Sequence, residues 1–430
     1  MIKKLIQSKI AKNATWLVCG RIAQMGINFF VAIYVARFLG PSKYGLINYA
    51  SAYTSFFASF CSLGINSIIV SELINNRDQE GTVLGTALLL KAVSSILSAV
   101  AIISIVSVVD KGEADTILVV VLSTIGMVLN ILETFNYWFQ SILKSKITAI
   151  ATLTGYAVSA AYKVLLIETD KGVAAFALAS ALDYAFSGAV LMVVYKHLNG
   201  APLRISRDYA ISLLQRSWHF IVPSIMVSIY AQTDKLMLKQ LMGETEIGYY
   251  SIATSLCTAW CFLLQAIIDS CYPSIIEAHK LRDKAGYLRK NRILYALVFY
   301  LSMIVSTIIC ILSKPMILFL YGDEYLPATM PLRIVTWYTA FSYLGVARNA
   351  WIVCENQQKY LAWIYLSAAV TNIVLNLFLI PRFGASGAAV ASLAAQIVTT
   401  MVTPWLIVGI KPNVRLMTEA ICLKGIIGKR

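Results

Sequence analysis

Ionisable and amide side chains recur at helical spacing inside long apolar runs. Arg21, Gln24 and Asn28 stand at i, i+3 and i+7 in the first run. Ser51, Ser55, Ser62 and Asn66 share a helical face in the second. Ser251, Ser255, Thr258, Gln265 and Asp269 do so further on. Another run carries Ser224, Ser228, Gln232 and Lys235, with Asp234 beside them. Asn130, Glu133, Tyr137 and Gln140 form one more stripe, and Lys163, Asp183, Arg348, Asn349, Asn372 and Asn376 are scattered through other runs. Hydrocarbon gives such groups no partner, so they turn inward, toward one another or toward a hydrated path. The chemistry this allows is the binding and carriage of a polar solute. Asn, Gln and Ser also serve as hydrogen-bond glue between helices. Glu133 and Lys163 can pair with each other, and Asp234 and Lys235 can snorkel toward an interface. Arg21 and Asp269 are deep and ionisable, and nothing nearby in the sequence offers either a partner.

The elements that hold these residues are membrane helices. The chain has 430 residues, of which 59% are hydrophobic and only 13% charged. A soluble domain averages roughly 25% charged. The mean hydropathy is +0.73. Twelve apolar runs are predicted to span, at about 14–36, 47–70, 83–108, 116–139, 147–167, 173–195, 220–239, 249–272, 293–313, 332–353, 361–380 and 385–409. Each is long enough to cross ~30 Å of hydrocarbon. The predicted organisation is a six-helix bundle at 1–195, a cytoplasmic linker at 196–217, a second six-helix bundle at 218–410 and a cytoplasmic tail at 411–430. Lys3 and Lys4 precede a first run that is too long and too polar for a cleaved signal, so it is read as an uncleaved span.

Alternation of twelve spans puts most Lys and Arg on one side, which makes both termini cytoplasmic. The net charge of +15 is then a topology signal rather than a sign of nucleic acid. The densest basic loop, 279–292, faces the anionic inner leaflet in this orientation.

The two halves repeat. Gly40-Pro41 followed by Gly45 and Ala50 aligns without a gap on Gly243, Gly248 and Ala253. Glycine accepts the positive φ of a helix end, and proline suits the start of the next helix. Under the same offset Asn66 aligns with Asp269 and Ser62 with Gln265. The small-residue run after Gly172 likewise echoes the one after Gly384. Six spans per half is an even number, so the bundles are related by a parallel pseudo-two-fold axis, with a cavity expected between them.

Several activities lack their residues. No G-x-x-x-x-G-K-[ST] loop is present, so the chain should not hydrolyse ATP. The eight cysteines lie mostly within apolar runs, and the three histidines are dispersed, so neither a disulfide framework nor a metal site is expected. No outer loop is long enough for an active site, and no catalytic residue is assigned.

The stretches Val35-Ala36-Arg37-Phe38-Leu39-Gly40-Pro41-x-x-Tyr44-Gly45, Asp234 followed by Gly243 and Gly248-Tyr249-Tyr250-Ser251-x-Ala253, and Phe319-Leu320-Tyr321-Gly322-x-x-Tyr325 resemble the bacterial polysaccharide repeat-unit flippases of the Wzx type. These belong to the multidrug/oligosaccharidyl-lipid/polysaccharide exporter (MOP) superfamily, and the resemblance covers essentially the whole chain. It implies an undecaprenyl-pyrophosphate-linked glycan, moved from the inner to the outer leaflet of the cytoplasmic membrane for O-antigen or capsule assembly. It also implies two six-helix bundles around a cavity lined by the first, second, seventh and eighth spans, and repeat-unit polymerase machinery as a partner. The related lipid II flippases have fourteen spans, more than this chain has room for.

Under that resemblance Arg21, Lys235 and Arg348 are the candidate pyrophosphate ligands. Gln24, Asn28, Asn66 and Gln265 would bond sugar hydroxyls, and Asp269 would couple transport to an ion. No resident cofactor is expected; H+ or Na+ would be cargo. Two other readings stay open. One is a cation-coupled multidrug exporter of the same superfamily, whose cavity should be acidic on balance. The other is a membrane scaffold or an enzyme of lipid-linked sugars, which would not need Arg21 and Asp269 for transport.

Overall fold

In the computed structural model residues 9–424 are described, and they form helices joined by short turns. The segments 1–8 and 425–430, with Lys3 and Lys4, lie outside the described residues. The chain divides into two compact units, Met1–Ser228 and Ile229–Arg430. Eight helical stretches among the described residues are long and apolar enough to cross a membrane. Two of them, Cys19–Ser62 with 44 residues and Gln358–Leu406 with 49, contain a glycine break and have room for two passes each.

The first unit contains α1 (Lys9–Ser62), the short α2 (Ile69–Asn75), α3 (Glu80–Val109), α4 (Ala114–Leu129), α5 (Thr134–Ser141), α6 (Ser145–Glu168), α7 (Val173–Ala177) and α8 (Ala179–His197). Helix α6 packs on both α1 and α8, and α4 packs on α1, α3 and α8. A single 3-10 turn, Asn130–Glu133, separates α4 from α5. Helix α9 (Arg207–Met242) contains the division between the units. The second unit continues with α10 (Glu244–Thr258), α11 (Cys261–Lys280), α12 (Lys284–Tyr321), α13 (Thr329–Val335), α14 (Tyr338–Cys354), α15 (Leu361–Ile397), α16 (Thr403–Leu406) and α17 (Lys411–Ile421). Its core gathers Leu264, Tyr295, Leu344, Trp351, Ile364 and Met417. In both units large apolar side chains such as Leu97, Val108, Ile311 and Phe378 stay exposed, as helices facing lipid require.

The segment after α8 is bound to the first unit. The backbone N–H of Arg204 donates to the Gly81 carbonyl at 3.1 Å, and that of Ser206 to Thr86 Oγ1 at 3.2 Å. A Cβ on Gly81 would stand 2.3 Å from the Pro202 carbonyl oxygen, and one on Gly85 would stand 2.4 Å from that of Arg204. These two glycines therefore let the segment 201–206 lie close against α3. Glu72 anchors the start of α9, accepting from Tyr209 OH at 2.8 Å and Arg216 Nη1 at 2.9 Å. Burial, with the carboxylate beside it, pushes the Tyr209 hydroxyl above its ordinary value and keeps it a donor. The predicted linker 196–217 is thus packed structure, and half of it is helical. The predicted tail likewise includes α17, which packs on α12.

The paired glycines share a backbone conformation. Gly40 has φ 70° and ψ 174°, and Gly243 has φ 93° and ψ −178°. Only glycine enters that region readily. The second pair differs: Gly172 is extended at φ −66°, whereas Gly384 breaks α15 at φ 52°. Added Cβ atoms at Gly172 and Gly243 would both meet open space, so alanine at each isolates the backbone term. Gly243→Ala is expected to lose ~1–3 kcal/mol of unfolding free energy, and Gly172→Ala to lose nothing. Equilibrium unfolding in detergent checks this, and equal losses would refute it.

Candidate functional site

The first unit encloses a cavity of about 690 Å³. Lys91, Lys163 and Asp183 are its charged lining; Asn28, Asn48, Asn66, Asn130 and several serines and tyrosines add amides and hydroxyls, and apolar side chains such as Val35, Ile47, Met127, Ile131 and Phe176 line the remainder. Lys91 is the one charge in its apolar run, and its Nζ donates to Asn66 Oδ1 at 3.1 Å. The same ammonium lies 5.8 Å from the centroid of the Tyr137 ring. Glu133 accepts from Asn130 Nδ2 at 2.9 Å, and its charged neighbour is Lys91; Lys163 instead has Asp183 as neighbour. The charge interactions thus run between Glu133 and Lys91 and between Asp183 and Lys163, rather than along the Glu133–Lys163 pairing that the sequence suggests. Helices α6 and α8 approach closely here because Gly155 has no side chain: a Cβ there would stand 2.7 Å from Asp183 Oδ1. The 3-10 turn swings Asn130 toward the cavity and Glu133 toward a smaller one.

That second cavity, about 270 Å³, is lined by Arg21, Gln24, Glu133, Tyr137 and Gln140. Tyr156 borders both cavities. The sequence-predicted stripe is therefore divided: Arg21 and Gln24 line the smaller cavity, Asn28 the larger.

In the second unit the polar centre is Asp234, which is 3% exposed. Its Oδ1 accepts from Asn372 Nδ2 at 2.8 Å and Asn376 Nδ2 at 2.7 Å; its Oδ2 accepts from the hydroxyls of Tyr250 and Ser392. Helices α9, α10 and both halves of α15 meet on this one carboxylate. The Asn376 side-chain oxygen, Oδ1, is buried without a hydrogen-bond partner among the described residues. Asp234 also lines a cavity of about 190 Å³, together with Lys235 and Gln396. Asp234 does not snorkel: it is held inside the unit by four donors. Gln265 and Asp269 are exposed on α11, and Gln265 Nε2 donates to Asp269 Oδ1 at 2.8 Å, so Asp269 does have a partner one turn away, contrary to the sequence expectation.

Arg348 is 1% exposed, and its Nη1 donates to the Thr399 carbonyl at 3.0 Å. Thr399 lies in a π-turn, Val398–Val402. Among the described residues no cluster of three or more His, Cys, Asp or Glu is placed to hold a metal ion.

Sequence reasoning left out Lys91 and the Asp234 cluster. Lys91 stands alone among apolar residues, which was signal enough. For the cluster, the one-turn spacing of Asn372 and Asn376 marks a polar face, but only the packing shows that the face meets Asp234.

Residues 10–279 match the family model described as polysaccharide biosynthesis protein. The chain belongs to this family. Among curated proteins it is similar to a "Putative O-antigen transporter" of Escherichia coli (strain K12). The two are 20% identical over 379 residues, covering 85% of this chain and 89% of that protein. Among solved structures it is similar to the lipid II flippase MurJ in an inward closed conformation. There the TM-score is 0.72 at 12% identity, over 95% of this chain and 90% of that one. It is also similar to an inward-facing multidrug resistance MATE family transporter of the MOP superfamily. That TM-score is 0.69 at 14% identity, over 94% and 96% of the two chains. This member of the polysaccharide biosynthesis family therefore has the fold of MOP-superfamily transporters. It is a multi-pass helical membrane protein whose named relatives are transporters, not enzymes.

The two carboxylates the sequence and structure single out should differ in their effect on stability. Asp234→Ala strips four buried donors of their acceptor and is expected to lose roughly 2–4 kcal/mol. Asp269→Ala removes one exposed hydrogen bond and is expected to lose under about 1 kcal/mol. Thermal unfolding of both variants in detergent measures the difference.

Proposed function

We propose that this protein is a flippase for undecaprenyl-pyrophosphate-linked oligosaccharides in the bacterial cytoplasmic membrane, moving them from the inner to the outer leaflet. The family match and the relative named for O-antigen transport support the substrate class. The observation that carries the reading is the larger cavity of the first unit. Its lining is rich in amides and hydroxyls, and its charged groups are two lysines against one carboxylate. That balance suits an anionic, hydroxyl-rich head better than the organic cation of a multidrug exporter. Lys91 and Lys163 take the pyrophosphate role in this reading; Arg21, in the neighbouring cavity of the first unit, and Lys235, in the second unit, are further cations for the same role. Asn28 and Asn66 meet sugar hydroxyls, with Gln24 and Gln265 on the route. Arg348 supports the π-turn. Twelve passes in two repeated bundles, both termini cytoplasmic, give alternating access; release on the outer face delivers the repeat unit to its polymerase.

The coupling group in this reading is Asp234 rather than Asp269. A buried carboxylate ringed by hydroxyls and amides is a hard, oxygen-rich setting for H+ or a small monovalent cation. Turning either amide would offer its oxygen in place of its N–H, and Asn376 Oδ1, without a partner among the described residues, is already available. Emptying the site would leave the negative charge buried and bias the helices that meet there toward another arrangement.

Two measurements test the proposal in proteoliposomes carrying a lipid-linked oligosaccharide. Lys91→Gln and Lys163→Gln, inserted normally, are expected to flip ~10–100-fold more slowly, the loss of one charge-assisted hydrogen bond each. Rates at the wild-type level would sink the assignment of the cavity. Asp234→Asn is expected to abolish dependence on an H+ or Na+ gradient while Asp269→Asn keeps it; the reverse result would return coupling to Asp269.

A further inference from the structure

A groove of about 880 Å³ lies in the second unit between the α11–α12 turn, the end of α14 and helix α17. Its floor is apolar and aromatic, formed by Tyr287, Leu288, Trp351 and Leu416. Its rim carries Lys280, Arg282, Lys284 and Arg415, all exposed. Among the described residues none of these four cations has an ion-pair partner.

Three carboxylates lie in the groove. Glu419 is ion-paired to Arg292 through Nε at 2.7 Å and Nη2 at 2.6 Å. Asp283 caps α12 by accepting from the Gly286 N–H at 2.9 Å and keeps its charge. Glu355 is exposed at the end of α14. Four cations therefore face two carboxylates, Asp283 and Glu355, and the rim keeps a cationic excess over an apolar floor. The apolar surface continues outward at Leu281, between Lys280 and Arg282, and at Val408, next to Gly409; both side chains are largely exposed.

We infer that this groove binds an anionic glycerophospholipid. The headgroup phosphate meets the basic rim, and the glycerol and first acyl carbons lie along the floor. Charge complementarity selects the anionic headgroup. The floor and the exposed Leu281 and Val408 select an amphiphile over free phosphate, since a soluble anion would gain nothing from them. The site is distinct from both cavities of the first unit and from the Asp234 cluster, and it does not depend on the transported substrate.

The full-length protein, delipidated in detergent, is titrated with phosphatidylglycerol and with phosphatidylcholine of the same chains, and retention is read by native mass spectrometry. One phosphatidylglycerol is expected to be held in preference to phosphatidylcholine. The combined Lys280→Gln, Arg282→Gln and Arg415→Gln variant is expected to weaken its retention on the order of 100-fold, about tenfold or less per charge. Glu355→Gln removes a like charge from the groove and is expected to tighten retention roughly fivefold, an effect that lost packing would not produce. Thermal unfolding without lipid checks that each variant folds; should the triple variant fail to fold, Glu355→Gln decides. Equal retention of the two lipids, an unchanged triple variant, or unchanged or weaker retention by Glu355→Gln would overturn the inference. Displacement by glycerol 3-phosphate at equal concentration would overturn it too, by making the site one for soluble phosphate.

Discussion

In hydrocarbon no water is available to satisfy a polar group, so each must find its partner inside the protein. The Asp234 carboxylate is where that constraint acts most strongly, because four donors from α10 and from both halves of α15 converge on it. Arg348 meets the same requirement in part: its Nη1 donates to the Thr399 carbonyl in the π-turn after α15, while its Nε is buried without a hydrogen-bond partner among the described residues. Glycine solves the matching problem for the backbone. Gly40 and Gly243 take a conformation closed to other residues and let two long helices meet at a sharp break without a loop in the apolar region.

Charge is distributed differently in the two units. The first surrounds its larger cavity with two lysines and many neutral donors and acceptors, and each lysine has a carboxylate neighbour that keeps it from being an isolated buried cation. The second gathers four side-chain donors around one buried carboxylate. In the proposed reading the first arrangement grips an anionic head while the second registers an ion, so substrate and coupling ion need not compete for the same groups. The segment laid on α3 gives this division a structural frame. It ties the start of α9 to the first unit through Gly81, Gly85 and Glu72, while the far end of the same helix supplies Asp234 to the second.

The class of the protein was legible in the sequence because hydropathy depends on composition alone, and the apolar runs, the basic loops and the glycine pairs are local patterns. The Gly40–Gly243 pairing carried through to matched torsions because positive φ is a property of one residue. The Gly172–Gly384 pairing did not, since small residues permit a close approach without dictating the backbone at its start. Helical spacing also identified polar faces. It did not say which faces meet. Arg21, Gln24 and Asn28 form one stripe, yet the 3-10 turn at Asn130–Glu133 and the bulk of Tyr156 assign them to two cavities.

The sequence by itself determined a multi-pass helical membrane protein, its polar stripes and its likeness to polysaccharide transporters, because each follows from residue type and short-range spacing. Only the tertiary structure decided that Lys91 faces Asn66 and that Asn372, Asn376, Tyr250 and Ser392 close around Asp234. Those partners are separated by long stretches of chain, and helix packing, not periodicity, determines which of them meet.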